Sequence, residues 1–138
     1  MSSAIPITRI GTSRLSNTRC RSIVHQGVLT TIAVAPETPP DLYAQSRDAL
    51  AVLDANLAEA GSDKSRILMV MIYLQNVDAK PDFNRAWDDW VDRGNLPLRA
   101  CVGAPLKGDF LVEIVATALL IPYPDMPSAL TVLTVDRV

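Results

Sequence analysis

Residues 67–74 have the sequence ILMVMIYL, a run of eight apolar residues without a charge. A short apolar run of this kind predicts a β-strand, and its lack of polar alternation predicts a strand buried on both faces. Helical patterns lie on either side of the run, over Asp41–Ala60 and over Asp82–Asp92. A strand between two amphipathic helices predicts a layered domain in which helices pack against a sheet.

The two helices have clear boundaries and apolar faces. Pro39 and Pro40 precede the first helix and Gly61 follows it, which matches the usual preferences at helix starts and ends. Its apolar residues Leu42, Ala49, Leu50, Leu53 and Leu57 recur at helical spacing. The second helix places Phe83, Ala86, Trp87 and Trp90 three or four residues apart and is expected to end at Gly94.

The remaining apolar runs predict five further strands, and Gln26–Gly27 between the second and third predicts a hairpin. The resulting order, β-β-β-α-β-α-β-β, predicts an α+β two-layer sandwich: a six-stranded, mostly antiparallel sheet with both helices on one face. Residues 1–120 form one domain in this interpretation, and residues 121–138 form a C-terminal extension in which Leu130–Val135 is a further short strand. The five strands are Ile5–Ile10, Cys20–His25, Val28–Ala35, Arg99–Gly103 and Phe110–Leu120.

The sheet face without helices needs a cover, because the strands that form it are apolar. Two helices cannot cover both faces of six strands, and an exposed apolar face of that size marks an interface. We therefore expect this face to pack against other copies of the chain.

Composition excludes several classes of protein. The chain has 138 residues, a net charge of −2, one histidine and two cysteines. The acidic balance disfavours a nucleic-acid partner, and so few histidines and cysteines disfavour a zinc site. We see no signal peptide, no membrane segment and no disulfide framework, so a cytoplasmic location is expected.

The last two strands carry the residues best suited to catalysis or ligand binding. If they form a hairpin, Arg99 and Cys101 lie on the same face as Glu113. One interpretation is a structural ion pair between Arg99 and Glu113. The other is a site in which the guanidinium binds a substrate carboxylate and the glutamate handles water or a proton. Cys101 is more simply a small buried residue than a nucleophile, because no histidine is near it in sequence to act as its base.

Several segments resemble the YjgF/Rid (reactive intermediate deaminase) family. The most specific is Pro97-Leu98-Arg99-Ala100-Cys101-Val102, followed at a suitable distance by Val112-Glu113-Ile114. The stretch Asn84-x-x-Trp87-x-x-Trp90 resembles a particular subgroup rather than the archetypal members. The resemblance runs from about Arg9 to Leu120 and covers most of the chain.

The resemblance implies a chorismate-mutase-like fold, a homotrimer, and pockets at the subunit interfaces. It also implies cofactor-free hydrolysis of enamines or imines, such as 2-aminoacrylate, to 2-keto acids and ammonia. By the same resemblance, Arg99 binds the substrate carboxylate and Glu113 positions the attacking water. Cys101 and Asn84 line the pocket.

The chain departs from the archetypal members at the third strand and near the N-terminus. Ala33 stands where those members have a glycine that approaches the substrate, and a side chain there is expected to narrow the pocket. A tyrosine of the N-terminal loop is absent; Asn17-Thr18-Arg19 stands there. These departures favour an alternative function. In it the protein is a non-catalytic trimer that binds small carboxylates, has a regulatory role, or acts as a chaperone. A ribonuclease is a third hypothesis, which the charge disfavours.

Overall fold

The structure is a computed structural model that describes residues 5–122. It contains six strands and two α-helices in the predicted order. The expected strand at Leu130–Val135 lies outside the described residues. The strands are β1 Ile7–Thr12, β2 Cys20–His25, β3 Val28–Ala33, β4 Ile67–Leu74, β5 Leu98–Gly103 and β6 Val112–Leu119, and the helices are α1 Leu42–Ala60 and α2 Lys80–Trp90.

The six strands form one open mixed sheet in the order β1-β2-β3-β6-β4-β5. Strands β2 and β3 are the predicted hairpin, and Gln26 and Gly27 at its turn have φ values of 52° and 78°. Two positive φ values in succession are characteristic of the tight turns that match strand twist. This part of the sheet therefore follows directly from local sequence.

The last two strands do not form the hairpin that was considered for them. β5 pairs with β4 in parallel, whereas β6 lies between β3 and β4 and is antiparallel to both. A parallel pair needs a crossover connection, and α2 supplies it between β4 and β5. The chain then passes beyond β4 to place β6 in the middle of the sheet.

Helix α1 is fixed at both ends by local chemistry. The Asp41 side chain accepts a hydrogen bond of 3.0 Å from the Ala44 N–H at its start. Gly61 ends it in the left-handed conformation, with φ 88°, which a side chain would oppose. α2 begins at Lys80 and ends at Trp90, before the expected stop at Gly94.

The core lies between the helices and one face of the sheet. Leu50, Leu53 and Leu57 of α1 are almost completely buried, as is Phe83 of α2. From the sheet, Val70, Ile72, Leu74, Val112 and Ile114 complete it. The predicted two-layer arrangement, with both helices on one face, is confirmed.

The other sheet face is not covered by any helix or loop of residues 5–122. Within this single chain β4 is therefore buried on one face only, and burial of its other face stays a prediction that depends on other copies of the chain. Met69 of β4 is 37% exposed, Ile32 of β3 is 47% exposed and Leu98 of β5 is 70% exposed. We call this side of the sheet the open face. Within residues 5–122, no helix has both the length and the apolar character needed to cross a bilayer.

Candidate functional site

Arg99 lies on the helix side of the sheet, held against aromatic rings. Its partner on β4 is Val70, a core residue, and residues opposite each other on paired strands share a face. Its guanidinium carbon is 5.6 Å from the centre of the Phe83 ring and 5.2 Å from that of Trp87. Cation–π contacts of this kind fix the guanidinium without using its hydrogen-bond donors. Among residues 5–122, Arg99 makes no salt bridge and no side-chain hydrogen bond.

Cys101 is on the same face, two residues further along β5 and opposite Ile72. Burial raises the pKa of its thiol above the ordinary value, and the nearby charges of Arg99 and Lys80 lower it by less. The thiol is therefore protonated at neutral pH. Because the thiolate is the reactive form, Cys101 is suited to lining the site rather than to nucleophilic attack.

Asn84 belongs to the face of α2 that meets Arg99. Residues three or four apart on a helix are neighbours, which groups Asn84 with Lys80 and Trp87. The Oδ1 atom of Asn84 is buried and has no hydrogen-bond partner among the described residues. A buried acceptor without a partner is uncommon in proteins and is available to a ligand.

Glu113 lies on the opposite face of the sheet from Arg99. It is paired with Tyr73 of β4, which is paired in turn with Val102 of β5, and all three belong to the open face. Two strand spacings and three residues along the strand separate Arg99 from Glu113, roughly 14 Å through the backbone. The expected convergence of the two side chains on one face is therefore wrong within a single chain, and so is a structural ion pair between them.

Glu113 instead lines two adjoining clefts that open toward the open face, of which the smaller also reaches Val52 of α1. The larger, of about 460 Å³, also contains Arg19, Lys107 and Phe110. The smaller, of about 70 Å³, contains Arg14 and again Arg19. Together they form what we call the Glu113 cleft. Its walls are the loop between β1 and β2 and the loop that precedes β6.

Ala33 does not line this cleft. It is paired with Ile114 and completely buried beneath the helices. Strand alternation puts Ile32, not Ala33, on the open face. The Ala33 methyl group therefore does not narrow the Glu113 cleft, and the side chains of Ile32 and Val34 line its smaller part instead.

Sequence reasoning missed Arg19 as a residue of the Glu113 cleft. The sequence gives Arg19 no role beyond its position in the loop where a family tyrosine is absent. Tyr73, which pairs with Glu113, is predicted to be buried with the rest of β4, whereas strand alternation puts it on the less buried face. The place of Arg19 beside Glu113 depends on strand order, which the local sequence does not encode.

Within residues 5–122 there is no cluster of three or more histidine, cysteine or acidic side chains suited to a metal ion. Both cysteines are free thiols, partly buried on different strands.

Comparison with known proteins gives a consistent result. The sequence profile of the Endoribonuclease L-PSP family matches residues 27–120. A RutC family protein of Haemophilus ducreyi is 38% identical over 117 residues, covering 83% of this chain and 97% of that protein. The RutC family protein YoaB of Escherichia coli is 36% identical over 93 residues, covering 67% of this chain and 82% of YoaB.

Solved structures agree in fold. A YjgF-family crystal structure from Neisseria meningitidis superposes with a TM-score of 0.77 at 33% identity, covering 84% of this chain and 96% of that chain. A Rid-family structure from Yersinia pestis superposes with a TM-score of 0.74 at 25% identity, covering 83% of this chain and 100% of that chain. The family resemblance of the sequence is thereby confirmed. This chain belongs to the YjgF/Rid family, which the RutC and Endoribonuclease L-PSP names also describe.

Proposed function

We propose that this protein is a cytoplasmic homotrimer that hydrolyses enamine or imine intermediates to 2-keto acids and ammonia. In this proposal no cofactor or metal takes part. Arg99 binds the substrate carboxylate and Glu113 positions the water, and the two side chains come from neighbouring subunits. Asn84 and Cys101 contact the substrate beside Arg99.

The observation that carries the proposal is the unpaired guanidinium of Arg99. A partly buried cation without a carboxylate partner is costly unless a ligand or another subunit supplies one. The guanidinium of Arg99 lies over the rings of Phe83 and Trp87, while its N–H donors are unused within residues 5–122. A planar fork with free donors matches a substrate carboxylate in a bidentate arrangement.

The positions of Arg99 and Glu113 support a site shared between subunits, and the family resemblance implies that three subunits form the assembly. The two residues are on opposite faces of one sheet, so a shared site requires two chains. β5, which carries Arg99, is an edge strand, and the open face, which carries Glu113, exposes apolar side chains such as Ile32 and Met69. Packing the edge of one subunit over the open face of the next covers apolar surface and joins the two groups. A closed ring of such contacts gives equivalent sites.

The chemistry needs little from the protein. An enamine tautomerises to an imine, whose carbon is already electrophilic. Water adds to that carbon, with the Glu113 carboxylate accepting its proton, and the proton passes to the nitrogen. The carbinolamine then collapses: its hydroxyl proton passes to the amino group, the C–N bond breaks, ammonia leaves, and the C=O bond forms. Orientation by Arg99 and a held water supply the main acceleration.

Two other functions have weaker support. A non-catalytic carboxylate-binding trimer would use Arg99 alone, and a chaperone-like or regulatory role would need neither group. The family name refers to an endoribonuclease, but a net charge of −2 gives this chain no overall basic excess for RNA. RNA binding that weakens with salt and survives loss of Arg99 would favour the nuclease.

The test is the release of 2-keto acid from 2-aminoacrylate or an alanine-derived imine generated in the assay. Wild type should exceed the buffer rate, while Arg99→Ala and Glu113→Gln should each lose about 100-fold or more of the acceleration, as expected for a positioned acid–base or anchoring group. Arg47→Gln is the control. It also removes one positive charge, but Arg47 lies in the groove between α1 and α2, whose lining includes neither Arg99 nor Glu113. If wild type and Arg99→Ala act equally, the proposal fails.

Carboxylate binding without hydrolysis would favour the non-catalytic alternative. Thermal shift with a panel of 2-keto acids detects it, because a ligand at about 100 times its Kd stabilises the folded state by about 2.7 kcal/mol.

A further inference from the structure

The Glu113 cleft contains positive charges that the proposed reaction does not use. Arg19 lines both of its parts, Arg14 lines the smaller part and Lys107 the larger. The salt bridges among residues 5–122 involve none of these three cations. Glu113 is the acidic residue that shares the cleft with them. In a chain whose net charge is −2, this is a local excess of positive charge.

The loop that carries Arg14 and Arg19 is held in place before any ligand arrives. The Arg21 guanidinium donates to both Glu59 carboxylate oxygens, at 2.7 and 2.8 Å, and to the Thr12 carbonyl at 3.1 Å. The Ser13 N–H donates to the Arg19 carbonyl at 2.7 Å and closes the loop. The ends of the segment are therefore fixed, which lowers the entropy lost on binding.

The loop that carries Lys107 is also held. The Leu106 N–H donates to the Gln75 side-chain oxygen at 2.5 Å, and the Leu111 N–H donates to that of Gln45 at 2.6 Å. Both walls of the cleft thus present cations from ordered backbone. A ligand pocket is commonly of roughly 300–1,000 Å³, and the larger part of the cleft, about 460 Å³, falls within it.

We propose that Arg19, assisted by Arg14 and Lys107, binds a second carboxylate of the substrate. The preferred substrates are then imines or enamines of four- and five-carbon dicarboxylic acids, the class formed when an acidic amino acid is oxidised at its α-carbon. This inference rests on the proposed function, in which Arg99 of a neighbouring subunit binds the first carboxylate. Arg19 selects the substrate and takes no part in the proton transfers.

Binding of reaction products tests the selection separately from catalysis. 2-Oxoglutarate and 2-oxopentanoate have the same number of carbons and differ by a carboxylate in place of a methyl group. Calorimetry should give a Kd about tenfold or more lower for 2-oxoglutarate, as expected for one charge-assisted hydrogen-bonded pair. Arg19→Gln should remove the difference, whereas Arg47→Gln should keep it.

Lys107→Gln provides a second variant if Arg19→Gln does not fold. It should also reduce the ratio of the Kd for 2-oxopentanoate to the Kd for 2-oxoglutarate. Equal affinities of the wild type for both keto acids would overturn the inference. So would a preference for 2-oxoglutarate that Arg19→Gln and Lys107→Gln both leave intact.

Hydrolysis separates this inference from the proposed function. Imines of alanine and of glutamate are generated by an amino-acid oxidase, and semicarbazide traps what the protein has not hydrolysed. The inference predicts a higher kcat/KM for the glutamate imine and a loss confined to that substrate in Arg19→Gln. If both imines are hydrolysed equally, the inference is wrong and the proposed function stands. If neither is hydrolysed faster than in buffer, the proposed function is wrong, and the keto-acid affinities still decide the role of Arg19.

Discussion

Replacing Gln45 by leucine should loosen the loop that leads into Glu113. Gln45 is a completely buried residue of α1. Its side-chain nitrogen donates to the Pro39 carbonyl at 3.0 Å and to the Asp109 carbonyl at 3.3 Å. Its oxygen accepts the Leu111 N–H at 2.6 Å. One amide thus joins the start of α1 to the segment that enters β6.

The cost can be estimated group by group. Gln45→Leu keeps the volume but leaves three backbone groups without their partner, and a buried unpaired group costs about 1–3 kcal/mol. The Asp109 carbonyl belongs to an exposed residue and regains water, whereas Pro39 and Leu111 are half-buried residues whose backbone groups regain water less readily. The added apolar side chain returns about 1 kcal/mol. The net loss in the free energy of unfolding should be about 2–4 kcal/mol.

Urea denaturation at fixed protein concentration measures this loss, because an oligomer's stability depends on concentration. Gln75→Leu is the matched control. It removes a single hydrogen bond, from Leu106, at an exposed residue and should cost less than about 1 kcal/mol. A loss for Gln45→Leu no greater than that for Gln75→Leu would refute the assignment of Gln45 as the residue that fixes this loop.

Two further predictions concern the Cys101 thiol and the glycine at position 11. Because burial raises the pKa of the Cys101 thiol, its alkylation by iodoacetamide at neutral pH should be slower than that of a cysteine peptide, and it should accelerate as pH rises; an equal or faster rate would contradict the assignment. Gly11→Ala should be more destabilising than Gly108→Ala, as measured in urea. Both glycines have positive φ, 64° and 62°, but only at Gly11 would the added methyl group meet the Arg21 guanidinium. Displacing Arg21 from Glu59 should make the loss in the free energy of unfolding about 0.5–1 kcal/mol larger for Gly11→Ala than for Gly108→Ala. Equal losses for the two variants would contradict this, because Arg21 would then move aside without cost.

Local elements of the fold were predictable because their signals are local. The leucine stripe between Pro40 and Gly61 predicts α1 to within one residue of its observed start. Gln26–Gly27 between two apolar runs predicts the β2–β3 hairpin. The bounds of β4, Ile67–Leu74, are those predicted from its uninterrupted apolar run. In each case the period of the side chains and the residues at the ends determine the element.

Strand partners were not predictable by the same means. The short connection from β5 to β6 favoured a hairpin, yet β5 pairs with β4, which is separated from it by α2. Pairing depends on which arrangement buries the most apolar surface, and that is a property of the whole sheet. The assumption of a hairpin also affected the predicted site, because a hairpin would place Arg99 and Glu113 on one face of the sheet. The residue types of the site came from the sequence, and their separation came from the topology.

The central claim is that one active site takes Arg99 from one subunit and Glu113 from another. Mixing inactive Arg99→Ala and Glu113→Gln subunits under conditions of subunit exchange tests it directly. If sites form between subunits, random assembly of equal amounts restores both groups at about one quarter of the interfaces. Imine hydrolysis should then return to about one quarter of the wild-type rate. No recovery, with exchange verified by mass spectrometry of the mixed trimers, would contradict the account.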